Sequence, residues 1–263
     1  MSADRIERAA SLIREARLAS RPLGSLPSDC RPADEAEAYL VQEALNRQLS
    51  AAGQGQIAGH KIGCTTPVMQ AYLGIPNPCA GEIFGPTVHR EHGRLRAADY
   101  LRVGVECEIA VLLGRDLAAR TAWDRVSVAP AVEACMAAIE IVDDRYADYP
   151  SLGTPTLVAD DFFNAGCVLG PPNRDWRSLD LVALTGRMHI NGVEVGEGRG
   201  GDILGHPLDA LAWLAGSRVA RGSPLRAGTF VMLGSIVTTK WVLTGDEVRI
   251  EVDGLGEARA SFS

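Results

Sequence analysis

The sequence predicts an α+β fold, in which helices and strands occupy different parts of the chain. Amphipathic helical spacing dominates residues 1–52, whereas alternating and apolar strand-like runs dominate the remainder. Strands that are grouped apart from helices favour this class over a regular β-α-β alternation. With 263 residues, 46% of them hydrophobic and 22% charged, the chain can form one large domain or a domain with a smaller lobe.

Two helices are expected before residue 53. In residues 1–18 the apolar side chains recur at three- and four-residue intervals between charged ones, which predicts the first helix. A loop containing proline and glycine, residues 22–32, separates it from the second helix. That helix begins at about Asp34 and ends before Gly53, a residue type that commonly follows the last helical turn.

A strand and a short helix are expected next. Residues 57–64 have the composition of a strand. Thr66 and Pro67 then indicate a helix start, because threonine caps a helix and proline is tolerated at the first helical position. This helix is expected over residues 68–73, and residues 74–93 are expected to be rich in loops because they contain several prolines and glycines.

Strands make up most of the rest. Helices are expected only over 126–135 and 206–220, with a compact segment at 157–164. Asn191-Gly192 lies between alternating residues and indicates a two-residue hairpin turn. That hairpin is expected over residues 187–195, and the other predicted strands are 105–113, 137–142, 167–170, 229–237, 247–252 and 258–262.

Composition limits the class of partner. A net charge of −7, without any basic run, argues against nucleic acid. No apolar run approaches the ~18 residues that a membrane span requires, and the N-terminal segment lacks the apolar core of a signal peptide. We therefore expect a cytoplasmic protein that acts on a small molecule. The six cysteines form no C-x-x-C pair and are interpreted as buried small side chains.

Three glutamates lie in strands where valine or isoleucine is usual. Glu106 and Glu108 belong to the run 105–113, and Glu140 belongs to 137–142. In a strand, residues i and i+2 point to the same face, about 6.6 Å apart at ~3.3 Å per residue. Buried carboxylates are normally paired or bound to a metal. If Glu140 lies on a neighbouring strand, the three form an all-oxygen site for a hard cation such as Mg²⁺ or Mn²⁺.

Lys61 and His60 are adjacent in an apolar strand that has glycine on either side. Lysine at such a position is usually an edge residue whose ammonium reaches water. We favour a functional Lys61, since three inward carboxylates require a countercharge. For His60 both interpretations stay open, because a single ring hydrogen bond would satisfy a purely structural histidine.

The segment 196–201 formally matches the dinucleotide-binding pattern G-x-G-x-x-G. Its context does not fit, because it follows an Asn-Gly hairpin and the position of the ribose-binding acid holds Val219, Ala220 and Arg221. We interpret these glycines instead as sites of close backbone approach.

Short segments spread from residue 59 to the C terminus occur in an order and at a spacing typical of one enzyme family. They are Gly59-His60-Lys61-Ile62-Gly63, Met69-Gln70, Leu73-Gly74, Glu106-Cys107-Glu108-Ile109-Ala110, Ala138-Ile139-Glu140-Ile141-Val142, Ala159-Asp160, Gly198-Arg199-Gly200, Leu204-Gly205-His206-Pro207-Leu208, Gly254-Leu255-Gly256 and Ser261-Phe262-Ser263. Together they resemble the 2-keto-4-pentenoate hydratase / 4-oxalocrotonate decarboxylase group of the fumarylacetoacetate hydrolase superfamily.

The resemblance implies a small N-terminal α/β lobe, residues 1–75, on a larger mixed β-roll, residues 76–263, assembled as a homo-oligomer. It also implies that Glu106, Glu108 and Glu140 bind the divalent metal and that Lys61 lies in the substrate pocket. His60 and Asp160 are the further catalytic candidates.

The implied activity is a metal-dependent lyase reaction in aromatic compound catabolism. A 2-oxo acid would chelate the cation, which stabilises negative charge on the 2-oxo oxygen. Hydration of 2-hydroxypenta-2,4-dienoate is the first expectation, and decarboxylation of the 4-oxalocrotonate type is the second. Hydrolysis of a C–C bond in an acylpyruvate, with His60 as base, is a rival. A noncatalytic partner subunit or small-acid-binding protein is the alternative outside enzymes.

The chain departs from the family pattern in two places. After Asp160 it has Asp161, Phe162, Phe163 and Asn164, where the group usually has asparagine followed by small residues. A bulkier segment beginning at Ser235 replaces a more glycine-rich loop. We expect these five residues to line the substrate pocket and to select a 2-oxo acid with a different tail.

Overall fold

The computed structural model describes residues 1–118, 120 and 122–263. The α+β organisation expected from the sequence is confirmed. Within the described residues there are seven α-helices: α1 (Ala3–Leu18), α2 (Glu35–Leu49), α3 (Pro67–Leu73), α4 (Arg125–Val128), α5 (Tyr149–Leu152), α6 (Thr154–Ala159) and α7 (Pro207–Ala220). The strands there are β1 (Ile57–Gly63), β2 (Cys79–Phe84), β3 (Val88–Arg90), β4 (His92–Leu95), β5 (Val103–Leu113), β6 (Val132–Asp143), β7 (Asn164–Leu169), β8 (Thr185–Ile190), β9 (Val193–Arg199), β10 (Phe230–Trp241), β11 (Glu247–Val252) and β12 (Gly256–Phe262).

A seven-stranded mixed sheet carries the glutamate strands at its centre. Its strand order is β2-β1-β10-β5-β6-β7-β3, and β2 also contacts β7, so the sheet curls upon itself. A small apolar cluster lies on the inner face: Ile83, Ala110, Met136, Ala138, Cys167, Leu169, Phe230 and Met232. Since side chains alternate along a strand, Glu106 and Glu108 share this inner face with Ala110, and Glu140 shares it with Ala138.

The second sheet has five strands in the order β4-β12-β11-β8-β9, and its strands β11 and β12 contact β6 of the first sheet. The expected Asn-Gly hairpin joins β8 to β9. Asn191 and Gly192 both have positive φ, 53° and 80°, which matches the twist of the flanking strands.

Helix starts follow their sequence signals. The Asp34 carboxylate accepts a hydrogen bond from the backbone of Glu37, and Thr66 caps α3 with Pro67 in its first turn. Helices α1 and α2 pack on each other, α2 contacts α6, and α7 packs on β10. No helix among the described residues has the length and apolarity needed to cross a membrane.

The helix expected over residues 126–135 is mostly wrong. Helix α4 ends at Val128, a short 3₁₀ turn containing Pro130 follows, and β6 begins at Val132. Alanine-rich β6 is a strand because it pairs with both β5 and β7, so tertiary pairing overrides helical propensity. The boundary expected at residue 75 stays a prediction; strand β1, which precedes it, lies between β2 and β10 in the large sheet.

The glycine-rich segment 196–201 serves close backbone approach, as the sequence interpretation held. A Cβ atom on Gly198 would lie 1.8 Å from the carbonyl oxygen of Ile236 on β10. One on Gly200 would lie 1.9 Å from the carbonyl oxygen of Leu181. A side chain at Gly198 would therefore push β9 of the second sheet away from β10 of the first, and one at Gly200 would displace the loop that carries Leu181.

We expect Gly198→Ala to lower the free energy of unfolding by about 2–3 kcal/mol, because the added methyl group overlaps a backbone carbonyl that cannot rotate away. Gly24→Ala is the matched control, since nothing lies within 4 Å of a Cβ built at Gly24. The control should change stability by no more than about 1 kcal/mol. Urea unfolding followed by circular dichroism measures both, and equal midpoints would contradict the close-approach interpretation.

Candidate metal centre and active site

Three carboxylates converge on the inner face of the curled sheet. Glu106 and Glu108 are two residues apart on β5, and Glu140 on β6 is the register partner of Glu106. Each offers an oxygen within 4.8 Å of the other two. Glu108 and Glu140 are each only 1% exposed, and Glu106 is the most accessible of the three. The convergence expected from the sequence is confirmed.

Neighbouring groups hold each carboxylate in place. Thr239 donates its hydroxyl to Glu106 Oε1, the Gly234 amide donates to Glu108 Oε2 at 2.9 Å, and Asn164 Nδ2 donates to Glu140 Oε1 at 2.9 Å. Gly234 has a φ of +121°, which L side chains rarely adopt, so glycine lets this amide face the site. The register of β10 against β5 shifts at several points along this stretch, and such bulges often re-aim groups next to active sites.

The three carboxylates are short of positive charge. Burial, followed by the charge of Glu140, raises the pKa of Glu106 to about 7. Burial and the same neighbour raise the pKa of Glu108 well above its ordinary value. Among the described residues, the one salt bridge that these carboxylates form is with Lys61. When all three carboxylates are ionised, one ammonium leaves two negative charges uncompensated.

These residues fit a hard divalent cation. All three donors are carboxylates, which such cations prefer. Glu108 Oε1 is buried and has no hydrogen-bond partner, so it is available as a ligand. A charge of +2 would also balance the cluster. An acidic cluster that can bind a divalent metal is therefore present.

Lys61 lies beside the carboxylates, as the sequence predicted. Strand β1 pairs with β10 and places Lys61 Nζ 3.3 Å from Glu140 Oε1. The ammonium also donates to the carbonyl oxygen of Phe162 at 2.9 Å and lies 5.4 Å from the centre of that ring. Burial lowers the pKa of Lys61, but the three nearby carboxylates raise it by more, so the group stays protonated.

His60 lies on the opposite face of β1. Its Nδ1 is 2.5 Å from Glu82 Oε2, and Glu82 also forms a salt bridge with Arg218 of α7. The structure therefore does not bring His60 together with the carboxylate cluster. Its contacts match the structural interpretation, in which one ring hydrogen bond satisfies a buried histidine.

Asp160 is also directed away from the cluster. It is fully buried between Arg17 of α1, at 2.5 Å, and Arg145, at 2.8 Å. Burial acts to raise the pKa of this carboxyl, but the two guanidinium groups lower it below its ordinary value. A direct catalytic role for Asp160 is a prediction that these contacts do not support.

Some residues of the segment 161–164 face the carboxylate cluster, and others face away from it. The Phe162 carbonyl and ring face Lys61, and Asn164 bonds to Glu140. Asp161 instead accepts hydrogen bonds from the Glu82 amide and from Asn46. The Phe163 ring packs edge-on against Tyr146 and Tyr149, at centroid distances of 4.7 and 5.5 Å.

Ser235 lies opposite Glu108 on β10, and its hydroxyl donates to the Val237 carbonyl at 2.6 Å. A side-chain hydrogen bond between Ser235 and Glu106 also acts to lower the pKa of that carboxyl. Two groups that hold the glutamates, Thr239 and the Gly234 amide, were not among the predicted site residues. The sequence signal for this segment was that bulkier residues replace a glycine-rich loop of the family. That signal does not show which residue faces the carboxylate cluster.

Comparisons with known proteins find relatives that match nearly the whole chain. The family described as "Fumarylacetoacetate (FAA) hydrolase C-terminal" matches residues 83–263. A 2-keto-4-pentenoate hydratase from Paraburkholderia phymatum is 36% identical over 262 residues, covering 99% of this chain and 98% of that protein. One from Burkholderia vietnamiensis is 35% identical, covering 97% of this chain and 96% of that protein.

Among solved structures, 4-oxalocrotonate decarboxylase from Pseudomonas putida G7, complexed with magnesium and adipate, superposes with a TM-score of 0.93. Its sequence is 28% identical, and the match covers 100% of this chain and 99% of that chain. The fold, the order of the segments and the similarity across the whole chain lead to the same conclusion: this protein belongs to the fumarylacetoacetate hydrolase family.

Proposed function

We propose that this chain is a divalent-metal-dependent hydro-lyase that hydrates 2-hydroxypenta-2,4-dienoate, the reaction of a 2-keto-4-pentenoate hydratase. The observation that carries the proposal is the buried cluster of Glu106, Glu108 and Glu140 with Lys61 beside it. Curated hydratases that match nearly the whole chain support this assignment. The reaction fits a role in aromatic compound catabolism.

Glu106, Glu108 and Glu140 would hold Mg²⁺ or Mn²⁺. The bound cation supplies a Lewis acid that stabilises negative charge on the 2-oxygen of the substrate. The magnesium in the decarboxylase structure supports this choice of ion. Thr239, Gly234 and Asn164 would keep the three carboxylates oriented, because each donates a hydrogen bond to one of them.

Lys61 would stabilise charge on the substrate. Its ammonium has three N–H groups and uses two on Phe162 and Glu140, so one is free to donate to the 2-oxygen. The 2-hydroxyl proton leaves and C5 gains a proton, which gives 2-oxopent-3-enoate. Water then adds at C4 while C3 is protonated, which gives 4-hydroxy-2-oxopentanoate. A preorganised donor at the 2-oxygen favours both steps, since each develops negative charge there.

The curated hydratases that match nearly the whole chain favour hydration over decarboxylation. A 4-oxalocrotonate-type substrate carries a second carboxylate, which requires a second cation. Within the described part of the chain, Lys61 is the one cation in a salt bridge with the three glutamates, and the ring of Phe162 covers its other side. An uncharged tail, as in 2-hydroxypenta-2,4-dienoate, suits this environment better.

Two other expectations receive less support. Hydrolysis of an acylpyruvate was linked to His60 as base, but that ring bonds to Glu82 on the far face of β1. For a noncatalytic protein, nothing would require Glu108 Oε1 to be buried without a partner, at an energetic cost. We further propose a homo-oligomer located in the cytoplasm. Sedimentation velocity tests the assembly.

We expect turnover of 2-hydroxypenta-2,4-dienoate to require added Mg²⁺ or Mn²⁺ and to stop in EDTA. Glu108→Gln should weaken metal affinity at least about 100-fold, because a neutral amide replaces a carboxylate whose Oε1 has no hydrogen-bond partner. The folded apo-protein should be as stable as wild type or more so, since the substitution removes repulsion. Calorimetric titration with Mn²⁺ and urea unfolding measure these two properties.

Glu133→Gln is the matched control, because Glu133 lies on β6 like Glu140 but pairs with Arg174 at the surface. It should leave both metal affinity and turnover unchanged. Turnover that persists in EDTA would contradict the proposed mechanism, and unchanged Mn²⁺ affinity in Glu108→Gln would contradict the placement of the site.

We also expect kcat/KM for 2-hydroxypenta-2,4-dienoate to exceed that for 4-oxalocrotonate by about 100-fold, because a second buried carboxylate without a partner costs about 3 kcal/mol. Ultraviolet absorbance follows loss of each substrate, and proton NMR identifies the products. Faster release of CO₂ from 4-oxalocrotonate than hydration of the dienoate would reverse the assignment in favour of a decarboxylase.

A further inference from the structure

Three consecutive residues without glycine adopt a left-handed backbone in the turn between α6 and β7. The φ angles are 53° at Asp161, 47° at Phe162 and 68° at Phe163. A residue other than glycine is strained in this conformation and persists there only when its surroundings hold it. The contacts around the turn therefore identify what maintains it.

Arg145 joins the two ends of this turn. At the start, its Nε bonds to Asp160 Oδ2 at 2.8 Å and its Nη2 donates to the Asp160 carbonyl oxygen at 2.7 Å. At the end, its Nη1 donates to the carbonyl oxygens of Phe163 and Asn164, at 3.2 and 2.9 Å. The guanidinium is buried, so these bonds are protected from water. Arg17 adds a second guanidinium, but it binds only at the start of the turn.

The same turn delivers two contacts to the carboxylate cluster. From its middle, the Phe162 carbonyl accepts a hydrogen bond from Lys61 Nζ. Just after it, Asn164 donates to Glu140 Oε1, the oxygen that also faces Lys61. A change in the turn would therefore move both the ammonium and the carboxylate that it pairs with.

We infer that Arg145 is a positioning residue that sets the direction of the free N–H of Lys61 by holding this left-handed turn. The inference rests on the proposed function for the role given to Lys61. In the described chain Arg145 forms no salt bridge or hydrogen bond with the three glutamates, so it acts through the turn. Arg145 holds the turn because its guanidinium reaches acceptors at both ends of the turn, and its charge alone would not do this.

A double-mutant cycle tests the kinetic part. Arg145→Gln should lower kcat by about 10- to 100-fold with less than about a threefold change in KM, because small misplacements of a catalytic group can cost this much. In a Lys61→Gln background the same substitution should lower kcat by less than about threefold, since the group on which it acts is absent. If kcat of the double mutant falls by the product of the two single-mutant factors, the inference is overturned.

Two further variants separate positioning from stability and charge. Arg177→Gln is the matched control, since Arg177 also donates to two backbone carbonyls, those of Ala129 and Val132, but lies away from the cluster. It should change the urea midpoint and leave kcat unchanged. Arg145→Lys keeps a charge beside Asp160 but cannot reach all four acceptors, so it should not restore kcat. Wild-type kcat in Arg145→Lys would overturn the spanning role.

A measurement without substrate distinguishes failure of this inference from failure of the proposed function. The sequence contains two lysines, Lys61 and Lys240, so ¹³C-lysine labelling gives two side-chain NMR signals, and Lys240→Arg assigns them. In Arg145→Gln the Lys61 signal should shift or split, as the ammonium leaves its place beside the Phe162 ring, whereas Arg177→Gln should leave it unchanged.

An unchanged Lys61 signal in folded Arg145→Gln would overturn the inference even if the enzyme hydrates the dienoate. A shifted signal would support it even if wild-type protein shows no hydratase activity. If Arg145→Gln does not fold, Arg145→Lys gives the same comparison, with one additional lysine signal that wild type lacks.

Discussion

The excess negative charge at Glu106, Glu108 and Glu140 is the constraint around which this molecule is organised. Buried carboxylates are costly unless they are paired or bound to metal, and here one ammonium faces three of them. The central strands of a curled sheet provide a site that is rigid enough to hold such groups together. A small cluster of apolar residues lies beside them on the same inner face.

Strands that are far apart in the sequence form this site. Lys61 comes from β1, the glutamates from β5 and β6, and the Gly234 amide and Thr239 from β10. The parallel pairing of β1 with β10 is therefore as important to the site as the antiparallel pairing of β5 with β6. Every contributing strand also belongs to the main sheet. The backbone hydrogen bonds that hold the sheet together therefore also hold the site residues in place.

The sequence predicted the parts of the site that depend on local periodicity. Two-residue spacing correctly indicated that Glu106 and Glu108 share a face, and the need for countercharge indicated Lys61. The partners of His60 and Asp160 could not be foreseen, because Glu82 and Arg17 lie 22 and 143 residues away in the sequence. The left-handed turn at 161–163 contains no glycine, so the sequence gives no signal of its positive φ angles. Alanine-rich β6 is a strand because it pairs with β5 and β7, and local sequence does not show this pairing.

Helix α1 lies at the start of the chain but is connected to the carboxylate cluster through two contacts. Its Arg17 binds Asp160, which begins the turn that reaches Lys61. The first eighteen residues are thus linked through this turn to the candidate site, although none of them forms a described salt bridge with its three glutamates. For protein engineering, shortening the chain at its N terminus, or exchanging this helix with that of a relative, would therefore also alter the turn that contacts Lys61.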